Sequence, residues 1–438
     1  KILESVAVLE KSNLSFVNPD RIIEDLVTIA FTQSGKNISS SISCIASLIA
    51  YVTLDGVPFI KLAEKCFVSL TQTVQSLPTD PSKIDQLHPQ QSARLQRCLV
   101  IYGYLCEHSR KCKTILLKLP SNYLKELEPD STLFKKHLIA LNERVAQMSF
   151  REVTGFDPRL FYGIGYSVVM YSLSLPDPAV QLRAIQCLCG IFAGYPRIML
   201  LAKEKEHIRQ VLSDRFNETL HERFLIGLKE MMVSEEQQLE KKASIQQMKE
   251  SGVGISKRTT VLGGAVDHDS DATIAGFVLQ QYHKDLTEFL KKPSISLRYC
   301  TLQLFATLLR QGMICPLDIL ALAVMLLGDE NEEIRQESLI LLQIQDERHP
   351  NFLDSRLIEG IEAAHDFQLQ TFNHLTPVLP KQRDIDTSHS IFSSLYLTCI
   401  VPNKKRKIQF LYGLLRRCIS TVVDATALLS VQEEGGGI

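Results

Sequence analysis

Apolar residues along this chain recur at spacings of three and four. Ile185, Leu188, Cys189 and Phe192 fall on one helical stripe, and Leu297, Cys300, Leu304 and Leu308 fall on another. Strict apolar–polar alternation bounded by turn dipeptides, the mark of a half-buried strand, is scarce. Prolines punctuate the helical pattern at short intervals: Pro58, Pro78 with Pro81, Pro120, Pro176 with Pro178, Pro293, Pro316 and Pro350. Each ends or opens a helix, because proline lacks the amide and clashes with the preceding turn. The pattern predicts an all-α chain built from successive helical hairpins.

Three segments look like copies of one unit. Residues 176–192 read PDPAVQLRAIQCLCGIF, residues 293–309 read PSISLRYCTLQLFATLL, and residues 329–344 read DENEEIRQESLILLQI. Each has a polar or proline-bearing turn, an aliphatic–arginine pair (Leu182–Arg183, Leu297–Arg298, Ile334–Arg335) and then an apolar helix. Arg298 and Arg335 stand 37 residues apart, and Arg183 and Arg298 stand 115 apart, close to three such intervals. A weaker copy around Arg223 lies 40 residues after Arg183. Two helices per unit at this period are the signature of a HEAT-repeat α-solenoid. A single hairpin cannot bury its apolar face, so stacked hairpins share one continuous core. Asp177, Asp329 and Asn331 are placed to cap the following helices. Glu332 and Glu333 suit the positive end of theirs. Arg183, Arg298 and Arg335 are expected to form a structural ladder, each pairing with an acidic turn of the neighbouring unit, such as the one at Asp329.

The same pattern divides the chain. HEAT-type repeats occupy 1–228. A polar, charge-mixed helix spans 229–250, and a Gly- and Ser-rich flexible loop spans 251–271. Repeats resume over 272–375, a second loop covers 376–390, and a basic helix pair with a tail fills 391–438.

Composition narrows the chemistry. At 438 residues the chain is too long for one ordinary core. With 48 basic and 49 acidic side chains its formal charge is -1, so any attraction to nucleic acid or membrane must be local. It has no Trp and only 7% aromatic residues, which argues against base-stacking on single strands. The 11 cysteines include no C-x-x-C pair and are read as small buried hydrophobes. No apolar run reaches the roughly 18 residues of a membrane span. The chain starts at Lys1 without a signal peptide and reads as a piece of something longer.

Catalytic signatures do not emerge. H-E-x-x-H, G-x-S-x-G and Walker A sequences are missing, so no catalytic residue, metal site or cofactor is assigned. Gly163 and Gly165 are read as helix packing or a turn rather than a phosphate loop. Asp267, His268, Asp269 and Asp271 are read as solvated loop, and His108 near Cys106 and Cys112 as helix surface. The one conspicuous cluster is PNKKRKIQFLYGLLRRC, residues 402–418. Lys404, Lys405, Arg406 and Lys407 open a helix, where cations oppose the dipole, and Arg416 and Arg417 close it, where they suit it. Phosphate contact, a nuclear import signal and a solvated helix all remain readings of this run. As a working hypothesis, Lys404, Lys405, Arg406, Lys407, Arg416 and Arg417 bind DNA.

Residues 297–364 resemble the C-terminal signature of the Nipped-B cohesin loaders. The resemblance rests on the RQG-aliphatic-x-x-P turn at Arg310 to Pro316, the helix after it, the acidic turn at Asp329, and F-L-D-S-R-x-x-E-G at Phe352 to Gly360. KSNLSFVNPDRIIEDL (11–26), ARLQRCLVIYGYLCEHS (93–109) and SSLYLTCIVPNKKRKIQFLYGLLRRC (393–418) are similar to further family segments. The resemblance implies a large nuclear, chromatin-associated HEAT protein curved into a hook. Such proteins load the ring-shaped cohesin complex onto chromosomal double-stranded DNA and so support sister chromatid cohesion. They stimulate the cohesin ATPase by binding its heads, its kleisin subunit and DNA, without catalytic residues of their own. Their small loader partner subunit binds an N-terminal region that this chain lacks. The alternative is a protein-only HEAT scaffold, such as a transport receptor or phosphatase scaffold.

Overall fold

The computed structural model describes residues 19–32, 36–53, separate positions between 56 and 88, 89–109 with Lys111, 158–200, 208–213, 217–250, 271–373, 390–417 and Ile419. Contacts divide the chain into a unit ending at Val278 and a unit beginning at Leu279. The expected loops at 251–271 and 376–390 lie outside the described residues, save Asp271 and Ser390 at their ends.

In the first unit, α1 (Pro19–Thr32) packs on α2 (Lys36–Leu48), which continues into a π-helical turn over Ile49–Thr53. α2 meets α3 (Pro89–Ser109), and α3 lies along α5 (Pro178–Gly194). α5 also meets α4 (Pro158–Leu173) and α6 (Glu218–Glu250). Each helix therefore completes its core against its neighbours, which is the stacking logic of a repeat array. Residues 229–250 are not a separate element: they continue α6, whose Leu220, Phe224, Leu225, Leu228, Met231 and Met232 are buried.

α5 is central because almost its whole surface is apolar. From Ala184 to Gly194 only Gln186 escapes burial. Asp177 starts this helix by accepting from the amides of Ala179 (2.9 Å) and Val180 (3.2 Å), as an N-cap must. Glycines set its distance from α3. A Cβ on Gly190 would collide with the Gly103 carbonyl oxygen, so the two backbones touch. Gly165 lies within α4, where a Cβ would run into the Tyr102 ring. Gly165 of FYGIGYS is thus a packing position.

In the second unit, α7 (Asp271–Gln281) spans the boundary and α8 (His283–Phe289) packs on α9 (Ile295–Arg310). α10 (Pro316–Leu326) is sandwiched between α11 (Glu332–Arg348) and α12 (Pro350–Phe372), which also touch each other. From Ile319 through Leu326, α10 is apolar all round and buried at every position but the half-buried Leu322, as a helix without a polar face must be. α9 ends at Gly312, whose φ of 69° permits the left-handed turn. The Met313 amide then reaches back to the Leu308 carbonyl at 2.9 Å, closing the helix end. Among the described residues there is no strand. The fold is all-α, a HEAT-like solenoid.

Among the described residues the expected arginine ladder has one full rung. Arg298 is 0% exposed and donates to both Asp329 carboxylate oxygens, at 2.6 and 3.0 Å. Its remaining nitrogen donates to the Lys292 and Pro293 carbonyls at 2.9 and 2.6 Å. Phe367 and Phe372 stand beside the guanidinium at 5.7 and 5.4 Å. Asp329 also accepts from the Asn331 amide, and Asn331 rather than Asp329 caps α11 through Ile334. Arg335 turns to main-chain acceptors instead, donating to the Asp329 and Glu330 carbonyls at 2.8 and 2.7 Å. Arg183 is exposed and bonds Gln186 on its own helix. Asp177, in the turn before it, accepts from the α5 amides and the Ser92 hydroxyl. The counterpart of Asp329 for Arg183, 31 residues on, is Asp214, which lies outside the described residues.

Removing one partner of the full rung strands a charge in the interior. Asp329→Ala is expected to cost about 3–5 kcal/mol of stability, whereas the double change Arg298→Met, Asp329→Leu recovers most of that loss. Urea unfolding followed by circular dichroism measures both.

Candidate functional site

The basic cluster sits on a last described helix, α13, residues 404–417. Asn403 opens it: its side chain accepts from the Arg406 amide at 3.1 Å and its carbonyl from the Lys407 amide at 2.9 Å. Three residues pin α13 to the body of the second unit. Arg406 is 4% exposed and donates to Asp346 (2.7 Å) and the Cys399 carbonyl (2.8 Å), with Asp354 completing an ion-paired pocket. Gly413 faces Ile358, where a Cβ would collide with Cδ1. Arg417 forms a two-point pair with Glu362, one arm at 3.1 Å. Burial works against the Arg406 charge, but Asp346, with Asp354 adding, outweighs it and holds the guanidinium above its ordinary pKa.

This geometry splits the six expected DNA-binding residues. Lys404, Lys405, Lys407 and Arg416 are exposed on α13. Arg406 leaves the set, because its guanidinium is committed to the interior. Arg417 is exposed but spends its charge on Glu362. Along the α12 side runs a groove of about 560 Å³, lined by Asn351, Asp354, Ser355, Lys405, Gln409 and Tyr412. Sequence reading missed that Asp346, Asp354 and Glu362 anchor the basic helix. Asp354 lies in the F-L-D-S-R-x-x-E-G segment and was the available signal.

The first unit holds a second polar cleft, of about 300 Å³, which nothing in the sequence pattern announced. Ser39, Tyr104, Glu107, Gln186, Arg223 and Glu230 line it. Gln186 donates to the Tyr104 hydroxyl at 3.0 Å, and Arg223 lies 3.9 Å from Glu230. Burial pushes the Glu107 carboxyl up, and the Glu230 charge adds to it, against Lys111 and Arg223. Cys189 borders the cleft, but burial raises its thiol to about 12, so it is not a nucleophile at neutral pH. Cys187, Cys106 and Cys66 are likewise buried and pushed up chiefly by burial. His108 stacks on Tyr104 at 6.3 Å. Cys112, Asp267, His268 and Asp269 lie outside the described residues. Among the described residues no cluster of His, Cys, Asp and Glu is placed to hold a metal ion, and no helix is long and apolar enough to cross a membrane.

Known proteins resemble this chain at three levels: a family description, curated relatives and a solved structure. The Nipped-B family description "Sister chromatid cohesion C-terminus" matches residues 275–433. The Nipped-B-like protein of Homo sapiens is 22% identical over 275 residues, which is 61% of this chain and 9% of that protein. The Nipped-B-like protein B of Danio rerio is 22% identical over 256 residues, 57% of this chain and 8% of that protein. This chain therefore spans under a tenth of the length of either relative. Among solved structures, the C-terminal fragment of the Chaetomium thermophilum cohesin loader SCC2 aligns with a TM-score of 0.66 at 14% identity. That alignment covers 95% of this chain and 26% of that one, and it shows a shared fold.

Two measurements check the site geometry. Arg406→Met is expected to cost about 2 kcal/mol, since its carboxylate partners keep some solvent. It should also speed amide exchange along 404–417, while Lys405→Met leaves that exchange unchanged. Glu107→Gln tests the cleft. Because the folded carboxyl is raised above its ordinary value of 4.5, ionising it destabilises the folded state as pH climbs through and above that range. The variant should therefore melt higher than the parent at neutral pH, with the gain vanishing below about pH 4.

Proposed function

Because the chain carries a Nipped-B-like C-terminal region over residues 275–433, we propose that it acts in sister chromatid cohesion as a non-catalytic scaffold. In this reading it works on chromatin in the nucleus and helps load the cohesin ring onto double-stranded DNA. Its partners are the ATPase heads, the kleisin subunit and DNA. Repeats over 1–228 and 272–375 supply protein-binding surface, and the basic pair at 391–438 supplies the DNA contact. The observation that carries the reading is the family match, which includes α13.

A stack of helical hairpins offers surface rather than a reactive pocket, and several weak contacts on one body gain from high effective concentration. Stimulation of an ATPase then needs no side chain in the active site. Binding energy that favours the engaged state of the heads suffices. Lys404, Lys405 and Lys407 project from the first turn of a helix whose own dipole repels them. Phosphates offset that unfavourable placement and release counterions on contact.

A duplex of about 30 base pairs, titrated by fluorescence anisotropy across salt concentrations, tests the assignment. Lys404→Glu, Lys405→Glu, Lys407→Glu together are expected to lower the salt slope by about 3, near one unit per lost phosphate contact. An unchanged slope rejects these lysines as the DNA contact. An intact chain that binds cohesin subunits but no DNA points instead to a protein-only scaffold.

A further inference from the structure

The outward face of α13 is apolar, which neither the cohesion reading nor a phosphate contact explains. Ile408 is 60% exposed, Leu411 44%, Tyr412 69%, Leu415 63% and Ile419 63%. At 100° per residue these five positions fall within one stripe about 100° wide, the width a core-facing helix carries. Leu397 and Val401, in the preceding turn, are also exposed. Of the 12 large hydrophobic residues exposed among the described residues, seven lie between 397 and 419. A concentrated apolar patch marks an interaction site.

The helix cannot simply roll this stripe inward. Arg406, Gly413 and Arg417 occupy the opposite side of the wheel and are seated on Asp346, Asp354, Ile358 and Glu362. Rotation would draw a buried guanidinium out of its ion pairs.

Charge selects the occupant. Between residues 387 and 423 the sequence has no Asp or Glu. Lys407 borders the stripe on one side, Lys405 and Arg416 on the other, and Lys404 stands at its head. A second copy of this chain would bring the same cations and repel. A phosphate backbone would satisfy the lysines but leave Leu415 and Ile408 without a partner. We propose that this face docks an acidic amphipathic helix of a partner protein, with aliphatic residues at helical spacing laid along Ile408, Leu411, Tyr412 and Leu415 and carboxylates meeting the bordering lysines and Arg416. Recognition of an amphipathic helix through anchors at i, i+3, i+4 and i+7 is an established mode of binding. A partner helix of about four turns matches the length of 404–419.

The test uses the full chain and two labelled synthetic 16-residue amphipathic helices. Both carry leucines at helical spacing; one has a glutamate polar face and the other a lysine polar face. The glutamate peptide is expected to bind saturably and at least about tenfold tighter than the lysine peptide. Ile408→Glu with Leu415→Glu should weaken it by at least about tenfold and leave the circular dichroism unchanged. Tyr412→Ala with Leu415→Ala, which adds no charge, should weaken it in the same direction and leave the salt slope of duplex binding unchanged. Four results overturn the proposal. One is equal binding of the two peptides, and another is no binding to the parent chain, as when residues 420–438 already cover the face. The third is a self-association in sedimentation that Leu415→Glu abolishes, and the fourth is an equal loss of duplex and peptide binding in the alanine variant.

Discussion

A guanidinium with no access to solvent must find all of its partners inside the protein, and Arg298 finds them on three separate elements. Asp329 comes from the turn before α11, the Lys292 and Pro293 carbonyls from the turn before α9, and the two phenylalanine rings from the far end of α12. A buried arginine accepts only a narrow range of geometries. The helices that carry its partners are therefore held in one register, and α10, apolar on all sides, is enclosed between α11 and α12 in that register. The seating of α13 follows, since Asp346 and Asp354 lie on α11 and α12 and position Arg406.

Much of this was legible because short-range rules governed it. Asp177 and Asn331 cap the helices they precede. Gly312 turns the chain where the RQG segment predicted a turn, and Pro316 opens the next helix. The aliphatic–arginine pairs were not equivalent, although they looked alike in sequence. Asp177 caps its own helix and takes the Ser92 hydroxyl, while Asp329 leaves the cap to Asn331 and turns to Arg298 of the preceding helix pair. Ser92 lies 85 residues from Asp177 in the chain, and no local pattern encodes that contact.

The basic run shows the same limit at the candidate site. Four consecutive cations look uniform in sequence, yet a helix turns each by 100° and sends Arg406 to the side shared with Gly413 and Arg417. Periodicity alone could have separated Arg406 from its neighbours. It could not have supplied Asp346, which lies 60 residues earlier. The cleft around Glu107 was hidden for a related reason, since its lining comes from α2, α3, α5 and α6. Only stacking brings those residues together.

The contact between Gly103 and Gly190 bears on how the first unit can deform. Side chains between most helices act as compliant spacers that change rotamer under load. Where carbonyl oxygen meets α-carbon, no such spacer remains, and main-chain atoms oppose any further approach. Bending of that unit must then be taken up at layers padded by longer side chains, with the α3–α5 seam acting as its rigid fulcrum.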